Sequence, residues 1–273
     1  MTSPHSRETM PGQQTPLPRH MPADYAPAAD LLADRVLIIT GAGDGLGKAA
    51  ALACAAHGAT LILLGRTVPK LEAVYDRIVA AGHADPAIYP MDLLGASPGD
   101  HEELAERVAS EFGRIDGLLH NAARLGTLTP IDYYDPKLWL ETLQINLNAA
   151  FFLTRACLPL MKKSPDASIV FTSDAVGRQG RAYWGAYGVS KFGIEGLMQI
   201  LAQELDAFPS MRVNSLDPGP VRTRLRAAAY PGEDPHTLPE PETLMATYLF
   251  LLGPESRGIS GEIFAARRGA VNG

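Results

Sequence analysis

The residues best suited to do chemistry are Tyr187 and Lys191, in Tyr187-Gly-Val-Ser-Lys191. They fall inside a helical pattern over 185–207, so both side chains share one face a turn apart, and the ammonium can sit beneath the phenol. A phenol, with a reference pKa of about 10, is a poor base at neutral pH; a cation held nearby stabilises the phenolate and lowers that value. Such a pair can exchange a proton with a substrate oxygen. Taken alone, Tyr-x-x-x-Lys is common in structural helices, and it gains meaning from a second constellation. The run Val36-Leu-Ile-Ile-Thr-Gly-Ala-Gly-Asp-Gly-Leu-Gly47 reads as a strand covered on both faces, then a glycine-rich turn into a helix beginning near Leu46. Glycine lets the backbone approach a pyrophosphate, and the free N–H groups and dipole of the new helix stabilise its charge. The spacing of Gly41, Gly45 and Gly47 is G-x-x-x-G-x-G rather than the commoner G-x-G-x-x-G.

The elements that must position these residues follow a βαβ rhythm. Strands are expected at 36–40, 60–64, 87–89, 117–120, 168–172, 212–215 and 262–264, with helices at 46–57, 69–81, 100–112, 136–162, 185–207 and 242–252. The expected class is therefore α/β: one doubly wound, Rossmann-type domain whose seven-stranded parallel sheet carries helices on both faces and a ligand crevice at the carboxyl ends of its strands. Residues 1–30 are rich in proline and read as a mobile tail, in which Met21 is a candidate translation start, leaving 31–273 as the domain. The segment 222–241, with Pro231, Pro235 and Pro239, interrupts the rhythm and reads as either a substrate lid or a plain surface loop. In such a fold the end of the second strand reads the adenosine ribose. An acidic residue there would accept from a 2′-hydroxyl, whereas Arg66 suits a 2′-phosphate, so NADP(H) is expected in preference to NAD(H). Asp44 in the glycine loop adds no second cation.

Bulk properties narrow the classes. The chain has 273 residues, 46% of them hydrophobic, enough for a sizeable core, and a net charge of -6 that argues against a broad nucleic-acid surface. No run approaches the ~18 apolar residues of a membrane span, so a cytoplasmic protein without membrane contact is expected. Cys54 and Cys157 sit in apolar helical patterns and read as reduced core thiols. The seven histidines are scattered without the spacing of a metal site, and no metal is expected.

The glycine loop, the Tyr187–Lys191 pair and the motif His120-Asn121-Ala122-Ala123 together resemble the short-chain dehydrogenase/reductase family, a likeness spanning roughly residues 33 to 266. The stretch Gly177-Arg-Gln-Gly-Arg-Ala-Tyr-Trp184 with the Tyr-Gly-Val-Ser-Lys-Phe that follows is also similar to the YciK-type subgroup of bacterial oxidoreductases. The resemblance implies hydride transfer between a nicotinamide and a small molecule, with Tyr187 as acid/base and Lys191 lowering its pKa and binding ribose hydroxyls. It implies that Asn146, in preference to Asn148, holds a proton-relay water. It places the cofactor along Gly41, Asp44, Gly45, Leu46 and Gly47, on Asp92 and Leu93 at the adenine, on Asn121, Ala122 and Ala123, and on Pro218, Gly219, Val221 and Thr223 at the nicotinamide. Ala123 replaces the family's usual glycine, tolerable where the local φ is negative. It further implies a homodimer or homotetramer built on the helices carrying Asn146 and Tyr187.

One position departs from the pattern. The family's serine, which donates to the substrate oxygen, aligns with Asp174 and not with Ser173, whether counted back from Tyr187 or aligned on Gly177. A one-residue shift on a strand turns the side chain to the other face, unless a bulge restores Ser173. Asp174 would then either be protonated and donate to a carbonyl, or stay ionised and accept from an N–H-bearing substrate, the arrangement pteridine reductases of the same family resemble. Arg178 and Arg181 are candidates to hold an acidic substrate group, and Tyr183 or Trp184 to stack on a ring. The expected function is thus an NADP(H)-preferring oxidoreductase acting on a carbonyl, alcohol or imine; the rival is a dinucleotide-binding sensor or scaffold of the same fold, motivated by Asp174 and Ala123.

Overall fold

The computed structural model describes residues 17–266. In chain order its main elements are β1 Val36–Thr40, α1 Gly45–Ala56, β2 Thr60–Gly65, α2 Val68–Ala80, β3 Ala87–Pro90, α3 Pro98–Phe112, β4 Gly117–His120, α4 Pro136–Leu143, α5 Ala149–Met161, β5 Ala167–Thr172, α6 Gly185–Glu204, β6 Met211–Asp217, α7 Arg224–Ala229, α8 Met245–Leu252 and β7 Ile263–Ala265. The strands form one sheet in the order β3-β2-β1-β4-β5-β6-β7, every pairing parallel. β1 is buried along its whole length, and its side chains alternate. Leu37 and Ile39 join the cluster under α1 and α8, while Val36 and Ile38 join the one under α3, α5 and α6. Each such leucine or isoleucine contributes about 1.5–3 kcal/mol by leaving water. From β1 the chain builds outward to β2 and β3, then crosses back to β4 on the other side. That reversal opens a crevice at the carboxyl ends of β1 and β4.

Four departures from the sequence reading bear on function. The single helix expected over 136–162 is two helices joined by a π-turn, Gln144–Asn148, where the Ala149 N–H reaches five residues back to the Gln144 carbonyl. The extra residue in that turn re-aims the side chains around Asn146, a change that apolar periodicity does not register. The helix expected over 242–252 begins only at Met245, after a 3₁₀ turn at Pro241–Leu244. The segment 222–241 contains the short helix α7, capped by the Thr223 hydroxyl accepting from the Arg226 N–H at 3.1 Å. Last, the mobile tail expected over residues 1–30 is corrected for its second half; residues 1–16 lie outside the described residues. Arg19 pairs with β7, its N–H donating to Ile263 O at 2.7 Å and its carbonyl accepting from Ala265 N at 2.8 Å, and Tyr25 packs edge-on against Phe250. Apolar Met21 and Tyr25, lying against the core, outweigh the surrounding prolines.

Candidate active site

A cleft of about 1860 Å³ runs across the carboxyl ends of the strands, from Arg66 and Lys70 past the glycine loop to Tyr187 and the 222–241 segment. At its floor β1 is followed by Gly41, whose φ of +67° suits glycine, and α1 starts at Gly45. The turn is closed on itself: a Cβ on Gly47 would lie 2.3 Å from the Gly41 carbonyl oxygen and 2.5 Å from Asn121 Nδ2. Asp44 caps α1 by accepting from Gly45 N at 2.9 Å, and also accepts from Lys70 Nζ and, at 3.5 Å, from Arg224. Bonding to Lys70 holds its carboxyl below the usual carboxylate range against the opposing pull of partial burial. Arg66 is exposed and makes no ion pair among the described residues. Lys70, one turn into α2, reaches the same corner of the cleft, and sequence reasoning missed it. Its signal was there, a lysine in the first turn of the helix that follows Arg66.

Leu46, Asp92 and Leu93 also line the cleft, and Asp92 caps its own turn by accepting from Leu94 N at 3.2 Å. At the end of β4, the Thr40 hydroxyl accepts from the N–H groups of Asn121 at 2.9 Å and Ala122 at 3.0 Å, which ties the Asn121 loop to β1. Ala123 is not among the residues with positive φ, so its methyl group is accommodated. At the end of β6 the Asp217 carboxylate accepts from Gly219 N at 2.9 Å and shapes the Pro218–Gly219 turn, beside which Val221 and Thr223 line the cleft.

The catalytic candidates converge. The Tyr187 hydroxyl donates to Asp174 Oδ2 at 3.2 Å, and Asp174 Oδ1 accepts from Val176 N at 3.0 Å. No bulge interrupts the β5–β6 pairing, which continues in register through Thr172, with Ser173 N donating to Leu216 O. Ser173 is buried with its hydroxyl unpartnered, and it is Asp174 that meets the phenol. Lys191 Nζ donates to Thr172 O at 2.6 Å and lies 5.5 Å from the centre of the Tyr187 ring. Asn146 is buried; its amide accepts from Arg124 N at 2.7 Å and donates to Arg124 O at 2.9 Å and Ser190 Oγ at 3.0 Å. Asn148, its rival, is exposed and bonds Gln144 instead. Asn146 and Lys191 share the lining of a void of about 10 Å³ behind the cleft.

Electrostatics correct one expectation. The ammonium of Lys191 was expected to acidify the phenol, but Tyr187 is pushed well above its ordinary value. Burial is the largest cause, followed by the charge and hydrogen bond of Asp174 and the charge of Asp217. Burial likewise pulls Lys191 down, opposed by Asp174, Glu195 and Asp217. The sequence reading also offered Arg178 as a holder of acidic substrate groups; in the fold it borders the cleft, with its guanidinium paired to Asp217 at 2.5 Å and facing Glu195 at 3.8 Å. Arg181 and Trp184 do line the cleft, and Trp184 lies tilted against Tyr187 and Tyr230, centroids 5.6 and 6.0 Å away. Tyr183 is exposed with a φ of +74° and is absent from the lining. The 222–241 segment contributes Thr223 to Arg226, Ala228 to Tyr230 and Glu233 to the wall of the cleft.

Among the described residues, no group of three or more His, Cys, Asp or Glu side chains could hold a metal ion, and no helix is long and apolar enough to cross a membrane. Residues 35–234 match the family model for short chain dehydrogenases. The chain is 46% identical over 249 residues to the Escherichia coli (strain K12) oxidoreductase YciK, covering 91% of this chain and 98% of that protein. A solved structure from Pseudomonas syringae is 52% identical with a TM-score of 0.88, covering 89% of this chain and 99% of that one. A crystal structure from Shigella flexneri 2a, complexed with NADP, is 46% identical with a TM-score of 0.85 over 88% of this chain and 99% of that one.

Proposed function

The chain belongs to the short-chain dehydrogenase family, and from that premise we propose that it is an NADPH-preferring reductase of a small carbonyl or imine compound. The observation that carries this reading is the Tyr187 hydroxyl, set in the cleft 3.2 Å from Asp174 with the Lys191 ammonium 5.5 Å from its ring centre. A phenol beside a cation that stabilises its phenolate can donate a proton, the role reduction requires.

The residues present fit a nicotinamide dinucleotide phosphate. One continuous cleft joins the Arg66–Lys70 corner, the glycine turn and Tyr187, with the exposed Arg66 guanidinium, without an ion pair among the described residues, where a 2′-phosphate would lie. The relative solved with NADP supports the same choice. Gly41, Gly45 and Leu46 would face the pyrophosphate, with Gly47 buried beneath the turn and off the cleft wall, and Arg66 with Lys70 would face the 2′-phosphate, Lys70 exchanging Asp44 for it. Asp92 and Leu93 would face the adenine, Asn121 to Ala123 the ribose side, and Pro218, Gly219, Val221 and Thr223 the carboxamide. Bound there, the cofactor supplies the hydride. Tyr187 protonates the oxygen or nitrogen of the reduced bond, and Lys191, fixed on the Thr172 carbonyl, stabilises the phenolate left behind. Asn146 is assigned the proton relay, supported by its place with Lys191 around a void about one water in size. Asp174 offers acceptor oxygens where the family's serine would donate, which favours a substrate with an N–H beside the reducible bond over a simple ketone. Trp184 and Tyr230 would pack against its ring.

We also assign assembly as a homo-oligomer to the faces of α5 and α6, where Phe151, Val189, Phe192 and Ile200 are exposed apolar side chains. The test of the activity is NADPH and NADH oxidation with a panel of ketones, quinones, cyclic imines and pterins. Turnover of N–H-bearing compounds with NADPH is expected; NADPH binding without turnover of any of them would sink the reading.

A further inference from the structure

Three charged residues behind Tyr187 and Lys191 are tied into one unit that no part of the proposed mechanism uses. Glu195 follows Lys191 by four residues and Tyr187 by eight, so the three form a single inward stripe on α6. Glu195 is buried; its Oε2 accepts from Ser215 Oγ on β6 at 2.8 Å, and its Oε1 has no hydrogen-bond partner. Facing that oxygen at 3.8 Å is Nη1 of Arg178, also without a hydrogen bond, while Nη2 of the same guanidinium holds Asp217 Oδ2 at 2.5 Å. Arg178 stands four residues after Asp174, just past the 3₁₀ turn Ala175–Gly177 that Asp174 caps. That turn is pressed onto α6, since a Cβ on Gly177 would lie 2.8–2.9 Å from Lys191 atoms. Asp217, for its part, shapes the Pro218–Gly219 turn. One largely buried guanidinium at the cleft edge therefore joins the loop carrying Asp174, the helix carrying Tyr187 and Lys191, and the strand end leading to the segment assigned to the nicotinamide.

We infer that Arg178 is a positioning residue, which locks these three elements together and offsets the charges of Asp217 and Glu195 beside the Tyr187–Lys191 pair. The inference rests on the proposed reductase reading for its consequence in turnover, but not for the lock itself. The charged groups reaching the pair are Asp174 from the β5 loop, Glu195 from α6 itself, and Asp217 from β6, with Arg178 among them; Arg181 and the Arg226–Glu233 pair stand on the cleft wall. Without Arg178, three carboxylates would face one ammonium. Each uncompensated negative charge makes phenolate harder to form, and a carboxylate left buried without its cation strains the turn it shapes.

The experiment compares Arg178→Lys, Arg178→Gln, Asp217→Asn and the double variant Arg178→Gln/Asp217→Asn. Hydrogen exchange on the protein without cofactor reads the lock directly. In Arg178→Gln, exchange at 175–180 and at 217–223 should rise together by about tenfold or more, and Arg178→Lys should fall between it and the parent. NADPH oxidation with 9,10-phenanthrenequinone as probe reads the electrostatics. The Arg178→Gln variant should lose about tenfold in kcat with its pH midpoint displaced upward, Asp217→Asn should displace it downward, and the double variant should recover toward the parent. If Arg178→Gln does not fold, Arg178→Lys and Asp217→Asn carry the same two readouts. Exchange rising in one segment only, a pH midpoint unmoved in Asp217→Asn, or a double variant no better than Arg178→Gln would each overturn the inference. Joint loosening of both segments in a protein that neither binds nor oxidises NADPH would leave the lock standing and remove the reductase reading instead.

Discussion

The two ends of the sheet use the same side chains to opposite effect. At the amino ends of the strands, Asp166 accepts from Arg35 at 2.6 Å and from Arg212, and pairs with Arg257 at 3.3 Å. Asp116 beside it accepts from Val36 N at 2.9 Å, Arg114 Nε at 3.0 Å and Ser164 Oγ at 2.5 Å. Arg35 Nε is the atom left without a hydrogen bond there among the described residues, and the cluster staples β1, β4, β5 and β6. At the carboxyl ends the polar groups beside the cleft are incompletely matched: Ser173 Oγ, Glu195 Oε1 and Arg178 Nη1 are buried without hydrogen bonds. A matched buried ion cluster stabilises one geometry, whereas an unmatched one leaves interactions to be completed by ligands and in the transition state. The difference between the ends is thus one of saturation, not of composition.

That contrast can be broken, first at its largest effects. Replacing Asp166 with Ala leaves Arg35 and Arg212 buried with no counter-charge and should remove about 3–5 kcal/mol of stability in urea unfolding, while kcat per folded molecule is unchanged. Tyr187→Phe should do the reverse, lowering kcat by about 10²–10⁴-fold with the unfolding midpoint unchanged or raised, since the phenol donates to no structural partner except Asp174. If either substitution moves both stability and turnover equally, the division of labour is wrong.

A smaller effect comes from the core between the two ends. His120 is buried against Phe171, and burial pulls its pKa down to about 3; His101, with both ring nitrogens unpartnered, is lowered for the same reason. The unfolded imidazole takes up its proton near pH 6.5, the folded one only near pH 3. Stability is therefore complete above about pH 6.5 and is lost as pH falls, by about 2 kcal/mol for His120 at pH 5. His120→Phe should flatten the acid limb of a stability–pH curve; an unaltered limb would remove His120 from the account. The smallest effect is expected at the rim. Arg66→Ala should weaken NADPH binding about tenfold or more, measured by fluorescence titration, with NADH binding unchanged, because only the 2′-phosphate loses a charge-assisted bond.

Much of this was legible in the chain itself. Alternating buried side chains of β1, the glycine turn after it and the Tyr187–Lys191 interval are local patterns, and periodicity reads local patterns well. Even the placing of Asp174, and not Ser173, beside Tyr187 follows from counting, because a strand that pairs without a bulge has only two faces. Other features have no local signature. The π-turn around Asn146 leaves the apolar pattern of a helix intact, and α7 is too short and too hemmed by prolines to announce itself. Residues 17–25 look polar and irregular until β7 and Phe250 stand beside them.

By itself the sequence determined the order of the elements, the side of each that would be buried, and which residues lie one helical turn apart, since those follow from backbone periods of two and 3.6. Only the tertiary structure decided the charge states and partners. The field at Tyr187 comes from Asp174 and Asp217, 13 and 30 positions away along the chain, and from burial under elements that meet only when the sheet closes. Desolvation and Coulomb interactions depend on distance in space, which a linear order of residues does not contain.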